Sequence, residues 1–247
     1  MPRVEIVVPC FNEEHRLDVS AFRGFRLDDS ELTFLFANDG STDGTARLLD
    51  ELIVSDPSRF AVVHLPKNQG KAEAVRHGVE AALKRGADYV GFWDADLATP
   101  LTELPGFIAI LNERPEIQMV FGARVRLLGR EISRRPSRHY VGRVGATLIS
   151  SSLGLAVYDT QCGAKLFRVT DDIRDAFAQP FLSRWIFDVE IIARFVRRCG
   201  RDAAARAIYE LPIYQWRDIG GSKVRSRDFI RALRDLWKIH RAYNSRR

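Results

Sequence analysis

The chain has 247 residues, 46% of them apolar, which is enough to bury a substantial core. Thirty-eight Lys and Arg against 32 Asp and Glu leave a net charge of +6, which suits anionic ligands such as nucleotide phosphates, nucleic acid or an acidic membrane surface. The three cysteines, Cys10, Cys162 and Cys199, lack metal-ligand spacing and fit reduced intracellular thiols, not a disulfide framework.

Met1-Pro2-Arg3 runs directly into the strand-like Val4–Val8, so no leader is expected. Glu13–Phe25 reads as a helix or helix-loop and Leu32–Ala37 as a second strand, with Ser41 or Thr42 capping a helix to about Val54. Ala61–Leu65 is a third strand, Lys71–Arg85 a helix closed by Gly86, and Tyr89–Trp93 a fourth strand. A helix over Thr102–Asn112 and a fifth strand over Met119–Ala123 follow. Strands alternating with helices predict an α/β fold, a mostly parallel sheet flanked by helices, within one domain over 1–247 whose C-terminal part is less regular. The longest uncharged stretch, Val144–Tyr158, is shorter than the ~20 apolar residues of a membrane span, so a soluble or peripheral cytoplasmic protein is expected.

In open α/β sheets ligands bind beyond the carboxyl ends of the strands. Four polar, turn-forming clusters fall there: Pro9-Cys10-Phe11-Asn12-Glu13, Asn38–Thr45, Lys67–Lys71 and Asp94-Ala95-Asp96. In extended backbone, side chains two apart share a side, so Asp94 and Asp96 can present oxygens to one hard cation, Mn²⁺ or Mg²⁺, with positions left for water and phosphates. The alternative is an acidic turn capping the helix near Thr102. Singly, Asp39-Gly40-Ser41 reads equally as a capped turn and Lys71 as a solvated helix residue, since the Walker spacing is absent. Together, an acid for a base or ribose, a helix-start Lys for phosphate and a metal pair describe a nucleotide-sugar site.

These residues resemble glycosyltransferase family two enzymes of the GT-A fold, in particular the dolichyl-phosphate or polyprenyl-phosphate glucosyltransferase branch. The resemblance rests on Val8–Glu13, Asn38–Ser41, Asn68–Lys71 with Ala74-Val75-Arg76 and Gly78, Asp94–Asp96, Gly122-Ala123-Arg124, Asp159–Phe167, Arg184–Glu190 and Gly221-Ser222-Lys223. Phe11 and Asn38 stand where the family has Tyr and a first Asp, so Asp39 alone carries over as the base-contacting acid. Ala98 removes a third protein ligand that the mannosyl branch has, and the hydrophobic membrane segment of the eukaryotic glucosyl enzymes is missing.

The resemblance implies a nucleotide-sugar half over 1–123, an acceptor half over 124–225 and a basic amphipathic helix over 226–247. It implies a nucleotide sugar, UDP-glucose first and GDP-mannose second, bound through Pro9, Asn12, Glu13, Asp39, Lys71, Asp94, Arg124 and Lys223. The metal is expected at Asp96 with Asp94, and Asp188 as the base of an inverting transfer. Arg138, Gln161, Lys165 and Trp185 are the acceptor-side candidates. Arg138 lies in an arginine cluster that reads equally as a solvated loop, and Trp185, like Trp93, competes with a core reading. The expected acceptor is a lipid phosphate; a soluble hydroxyl compound is the alternative.

From Arg227 to Tyr243 apolar residues recur at helical spacing with basic ones interleaved, as in a helix lying on a membrane or packing on the domain. Nucleic acid is not an expected partner, because the arginines are not interleaved with an aromatic stacking platform. A nucleotide-sugar sensor without activity is disfavoured by the presence of both metal carboxylates.

Overall fold

The structure, a computed structural model, describes residues 1–133, 136–219 and 226–244, without the side chains of 136–143, 226–230 and 244. The strands are β1 (Arg3–Cys10), β2 (Glu31–Asn38), β3 (Phe60–His64), β4 (Tyr89–Trp93), β5 (Met119–Ala123), β6 (Glu131–Ser133), β7 (Ala164–Arg168), β8 (Ile208–Pro212) and β9 (Gln215–Arg217). The α-helices are α1 (Val19–Gly24), α2 (Thr45–Ser55), α3 (Lys71–Lys84), α4 (Leu104–Glu113), α5 (Pro136–Leu153), α6 (Asp171–Phe177), α7 (Phe187–Cys199), α8 (Arg201–Ala207) and α9 (Ser226–Ile239).

Seven strands form one sheet in the order β3-β2-β1-β4-β7-β5-β8, and β6 pairs with β9 in a small second sheet. Neighbours are parallel except at β7, which lies antiparallel between β4 and β5. The carboxyl ends of β1, β2, β3 and β4 therefore share one edge, and β7 starts at that edge. Placing β7 there brings Lys165 opposite Phe92 on one side and Phe121 on the other.

Two apolar layers cover the faces. Val4, Ile6 and Val8 point to the layer holding Phe34, Phe36, Trp93 and Phe107; Val7 points to the other, with Phe92, Phe121, Phe167 and Phe187. This alternation along β1 is the two-residue period of a strand buried on both faces. Helix α3 sits unusually close to the sheet: a Cβ on Gly78 would lie 2.3 Å from Val7 Cγ1, so glycine permits the packing.

Two expected elements differ at their starts. Of the helix or helix-loop expected over Glu13–Phe25 the structure has the mixed form: the helix begins at Val19, capped by Asp18, whose Oδ1 accepts from Ala21 N–H at 3.0 Å. The N–H groups of Glu13 and Glu14 bond Thr45 Oγ1 and Asp43 Oδ2, which holds that segment as a turn. Likewise Ser41 and Thr42 cap nothing: Ser41 Oγ accepts from Asn12 N–H at 3.1 Å, Asn12 Oδ1 accepts from Thr42 N–H at 2.9 Å, and α2 begins at Thr45. Expected β4 and β5 match the structure residue for residue.

At the opposite edge, Glu5 shares the face of Val7 and is buried beneath the end of α3, where Arg85 Nε donates to its Oε1 at 2.7 Å while Oε2 has no partner. Burial raises the Glu5 carboxyl above its ordinary 4.5, and the Arg85 hydrogen bond and charge only partly oppose it. A raised carboxyl binds its proton more tightly in the folded chain than in the unfolded one, so its contribution falls as pH climbs from that ordinary value through the folded one. Glu5→Gln is expected to flatten that fall, read as urea midpoints compared at about pH 5 and about pH 8.

Candidate active site

The clusters at the carboxyl edge build their loops largely from one another. Asp39, 2% exposed, accepts from Gln69 N–H at 2.7 Å and Gly70 N–H at 2.8 Å, one on each carboxylate oxygen. It thereby fixes the turn that opens α3 and aims Lys71. Asn38 Oδ1 accepts from Ser41 N–H, and its amide lies 2.9 Å from His64 Nδ1, whose Nε2 lies 3.0 Å from Asp50. An amide donor facing Nδ1 leaves the ring proton on Nε2, directed at Asp50. Asn38, where the family has its first Asp, is thus a neutral strut between the turn and β3.

Asn12 adopts φ +54° and stitches the first loop to the second through Thr42, while Glu13 pairs with Arg16 at 3.5 Å. Pro9 is the penultimate residue of β1, opposite Ala37.

At the end of β4, Asp94 Oδ1 accepts from Lys71 Nζ at 2.5 Å, and Asp96 Oδ1 accepts from Ala98 N–H at 3.1 Å with Arg16 Nη2 3.5 Å from its other oxygen. Burial and the charge of Asp94 raise the Asp96 carboxyl, against the pull of Ala98 N–H, Arg16 and Lys71. Lys71 is governed in the opposite sense. Burial alone would lower its ammonium, but Asp94, Asp188 and Asp96 together raise it.

Two carboxylates that repel one another and draw in Lys71 and Arg16 have the donor set of a hard-cation site. Among the described residues no third His, Cys, Asp or Glu joins them, so a divalent ion here would take its other ligands from substrate and water. Gly163 shapes this place: its Cβ would stand 1.9 Å from Asp94 Oδ2, and its carbonyl accepts from Asp94 N–H at 3.0 Å.

Beneath the edge the structure reassigns two residues. Lys165, an expected acceptor contact, is completely buried. Its Nζ lies 2.6 Å from Asp188 Oδ1, donates to Cys162 O at 2.5 Å and sits over the rings of Phe92 and Phe121. A dry ammonium needs a carboxylate, and that carboxylate is Asp188, so Lys165 acts from below the site. Arg124, expected on the diphosphate, turns its fork to Asp159 at 2.7 and 2.8 Å and lies over Trp216.

Burial by itself would raise Asp159, but the charge and hydrogen bonds of Arg124 hold its carboxyl down at about 2 against an ordinary 3.8. Burial tends to lower Arg124 in turn, and Asp159 overrides it upward.

Gln161 is half-buried, its N–H on Asp159 Oδ1 and its amide on Thr160 Oγ1. Trp185 is 47% exposed on the turn before Asp188, whereas Trp93 is core, donating to Thr99 O. The Arg138 side chain and Lys223 lie outside the described residues.

Arg16, Asp159 and Arg184 escaped sequence reasoning. A Glu13–Arg16 pair three apart was a weak signal for the first. Asp159 stood in a quoted motif but reveals its role only by meeting Arg124 across 35 residues. Arg184 donates to Asn68 Oδ1 at 2.7 Å, closing the turn before α7 onto the loop before α3.

Residues 5–174 match the family model described as glycosyl transferase family 2. The chain is 31% identical to a dolichyl-phosphate beta-glucosyltransferase of Trichomonas vaginalis over 245 residues, 94% of this chain and 69% of that one. It is 27% identical to the dolichyl-phosphate beta-glucosyltransferase of Saccharomyces cerevisiae, over 97% of this chain and 75% of that one. Among solved structures it resembles glucosyl-3-phosphoglycerate synthase from Mycobacterium tuberculosis in complex with Mn²⁺, UDP-glucose and phosphoglyceric acid. That likeness has a TM-score of 0.66 at 19% identity, covers 98% of this chain and 79% of that one, and shows the shared GT-A fold.

The Arg124–Asp159 pair carries a stability consequence. A depressed carboxyl contributes stability that is present above its ordinary 3.8 and is lost as pH falls toward about 2. Asp159→Asn leaves a buried guanidinium without its charge partner and is expected to destabilise by about 3 kcal/mol or more at neutral pH, with a shallower acid limb in urea titrations.

Proposed function

The chain belongs to glycosyl transferase family 2, and from that membership we propose an inverting, cation-dependent transfer of glucose from UDP-glucose to a polyprenyl phosphate. The observation that carries the reading is Lys71: one ammonium at the start of α3 is bonded to Asp94 and held by the charges of Asp94, Asp188 and Asp96, which links the candidate cation ligands to the candidate base. The relatives named as dolichyl-phosphate beta-glucosyltransferases support the sugar and the acceptor class.

In this reading the base lies over the Pro9 and Asp39 edge, with Asn12 and Glu13 holding the loops that frame it. Asp94 and Asp96 would hold a divalent ion, which when bound supplies Lewis-acid neutralisation of the diphosphate. Lys71 holds negative charge on the same group, and Trp185 borders the acceptor. An acceptor oxygen attacks the anomeric carbon from the face opposite the diphosphate; the new C–O bond forms as the old one breaks, and its electron pair leaves with UDP.

A phosphate monoester brings its own anionic oxygen, because its second pKa is ~6. A hydroxyl acceptor needs a base in hydrogen-bond reach, and the candidate, Asp188, has one oxygen committed to Lys165. That commitment favours the phosphate.

Among the described residues no helix is long and apolar enough to cross a membrane. On α9, however, Leu233 and Trp237 are exposed beside Arg231, Arg234, Lys238 and Arg241, and on α5 Val144 and Leu148 are exposed. This pattern suits peripheral contact with an anionic cytoplasmic membrane face.

Calorimetry with UDP-glucose and GDP-mannose, with Mn²⁺ and with chelator, tests the donor. UDP-glucose is expected to bind with Mn²⁺, and Asp96→Ala to weaken it by about 1.4 kcal/mol or more, tenfold in Kd. Metal-independent binding, or none, would count against the reading. Asp188→Asn separates the acceptors: transfer to a hydroxyl compound is expected to fall by about 10²–10⁴-fold, the range for a positioned base. Because Asp188→Asn also leaves the buried Lys165 ammonium without its charge partner, the comparison is made on protein shown to be folded; there, transfer to polyprenyl phosphate is expected to fall by about tenfold at most, and equal losses would remove the distinction.

A further inference from the structure

The turn joining α6 to α7 carries Trp185 and delivers Asp188, and side chains hold its backbone amides. Phe181 N–H donates to Glu73 Oε1 at 2.9 Å, Leu182 N–H to Glu190 Oε2 at 2.8 Å, and Trp185 and Ile186 N–H to Ser183 Oγ at 3.2 and 3.0 Å. Ser183 is completely buried, and its hydroxyl donates to Asp235 Oδ2 on α9 at 2.9 Å. A hydroxyl has one proton and two lone pairs. All three are engaged here, so its orientation is fixed, and α9 supplies the acceptor that fixes it.

Other bonds seat the same C-terminal segment. Tyr243 hydroxyl donates to Glu190 Oε1 at 2.9 Å, Arg197 donates to Ala242 O at 2.8 Å, and Ile239 is fully buried. Glu190 therefore bonds the turn with one oxygen and the C-terminal segment with the other, two positions after Asp188. The donor loops are held by a different set, Asp39, Asn12 and Asp43, none of which bonds α9 among the described contacts.

We propose that Asp235 is a positioning residue for the acceptor. Through Ser183 it ties α9 to the turn that sets Trp185 and Asp188, so the seating of the C-terminal helix governs use of the acceptor and not binding of the donor. This rests on the reading above in one respect, that the acceptor approaches over Asp188 and Trp185. The outer face of the same helix carries Leu233, Trp237 and its basic neighbours, so a surface that engages α9 acts on the acceptor turn through the Ser183–Asp235 hydrogen bond, beside the Tyr243–Glu190 bond of the segment that follows.

The test compares Asp235→Ala, which removes the hydrogen-bond acceptor, with Asp235→Asn, whose amide oxygen still accepts, and with Ser183→Ala. Asp235→Ala is expected to lower kcat/KM for polyprenyl phosphate by about tenfold, the effect of a buried donor left unsatisfied. UDP-glucose Kd by calorimetry should stay within about twofold of the parent chain, and Asp235→Asn should recover most of the loss. The double variant Ser183→Ala/Asp235→Ala should be no worse than Ser183→Ala, which already removes the Ser183–Asp235 bond together with the two amide bonds to the hydroxyl.

Parallel loss of donor affinity, an Asn variant as poor as the Ala variant, or an unchanged kcat/KM in a folded Ala variant would each overturn the proposal. If the parent chain binds UDP-glucose yet does not glucosylate polyprenyl phosphate, the acceptor reading has failed. Hydrogen exchange at the Trp185 and Ile186 amides then decides the relay: faster exchange in Asp235→Ala but not in Asp235→Asn supports it, and equal protection overturns it.

Discussion

One buried ion pair fixes where β7 and the start of α7 meet in this protein. The ammonium of Lys165 lies where no water reaches, between the rings of Phe92 and Phe121, and Asp188 answers it at 2.6 Å. Breaking such a pair from one side costs about 3–5 kcal/mol, a large part of the ~5–15 kcal/mol by which a domain is stable. The start of α7 must therefore sit over β7, and β7 must lie between β4 and β5. The sheet's single antiparallel insertion among the described residues and the location of Asp188 are parts of one constraint.

The polar motifs at the carboxyl edge do two kinds of work. Asp39, Asn12, Asn38 and Asp43 direct their side chains at backbone amides of neighbouring loops, because a loop pulled down over a sheet edge cannot leave its N–H groups unpaired. Asp94, Asp96, Lys71 and Arg16 instead pair chiefly with one another, charge against charge. The frame is built of hydrogen bonds to backbone, and the end of β4 is built of charge.

That charge is balanced locally. Burial first, and then the charge of Asp94, raise the Asp96 carboxyl, while Asp94, Asp188 and Asp96 together raise Lys71 against its own burial. In the proposed reading, Lys71 and Arg16 stand where a divalent ion would meet these carboxylates. Exposed pairs elsewhere, such as Arg47–Glu51, contribute about 1 kcal/mol or less and have no comparable consequence.

Much of this was legible without coordinates. Short continuous apolar runs located β4 and β5, and a helix-like stretch closed by glycine located α3, because each is regular and buried; the convergence of four polar clusters on one sheet edge followed from their places after strands. The amino-acid sequence alone determined the fold class, the family and the carboxylate pair. Tertiary structure decided which polar side chains reach solvent. Lys165 and Arg124 look like ligand contacts in a string of letters, yet one is sealed beneath Asp188 and the other is clasped by Asp159. The late starts of α1 and α2 have the same cause, since Asn12, Asp43 and Thr45 bond across about thirty residues of chain. Local pattern reports what a residue can do over one or two turns, whereas its partner is chosen by the packing of strands and loops distant in sequence.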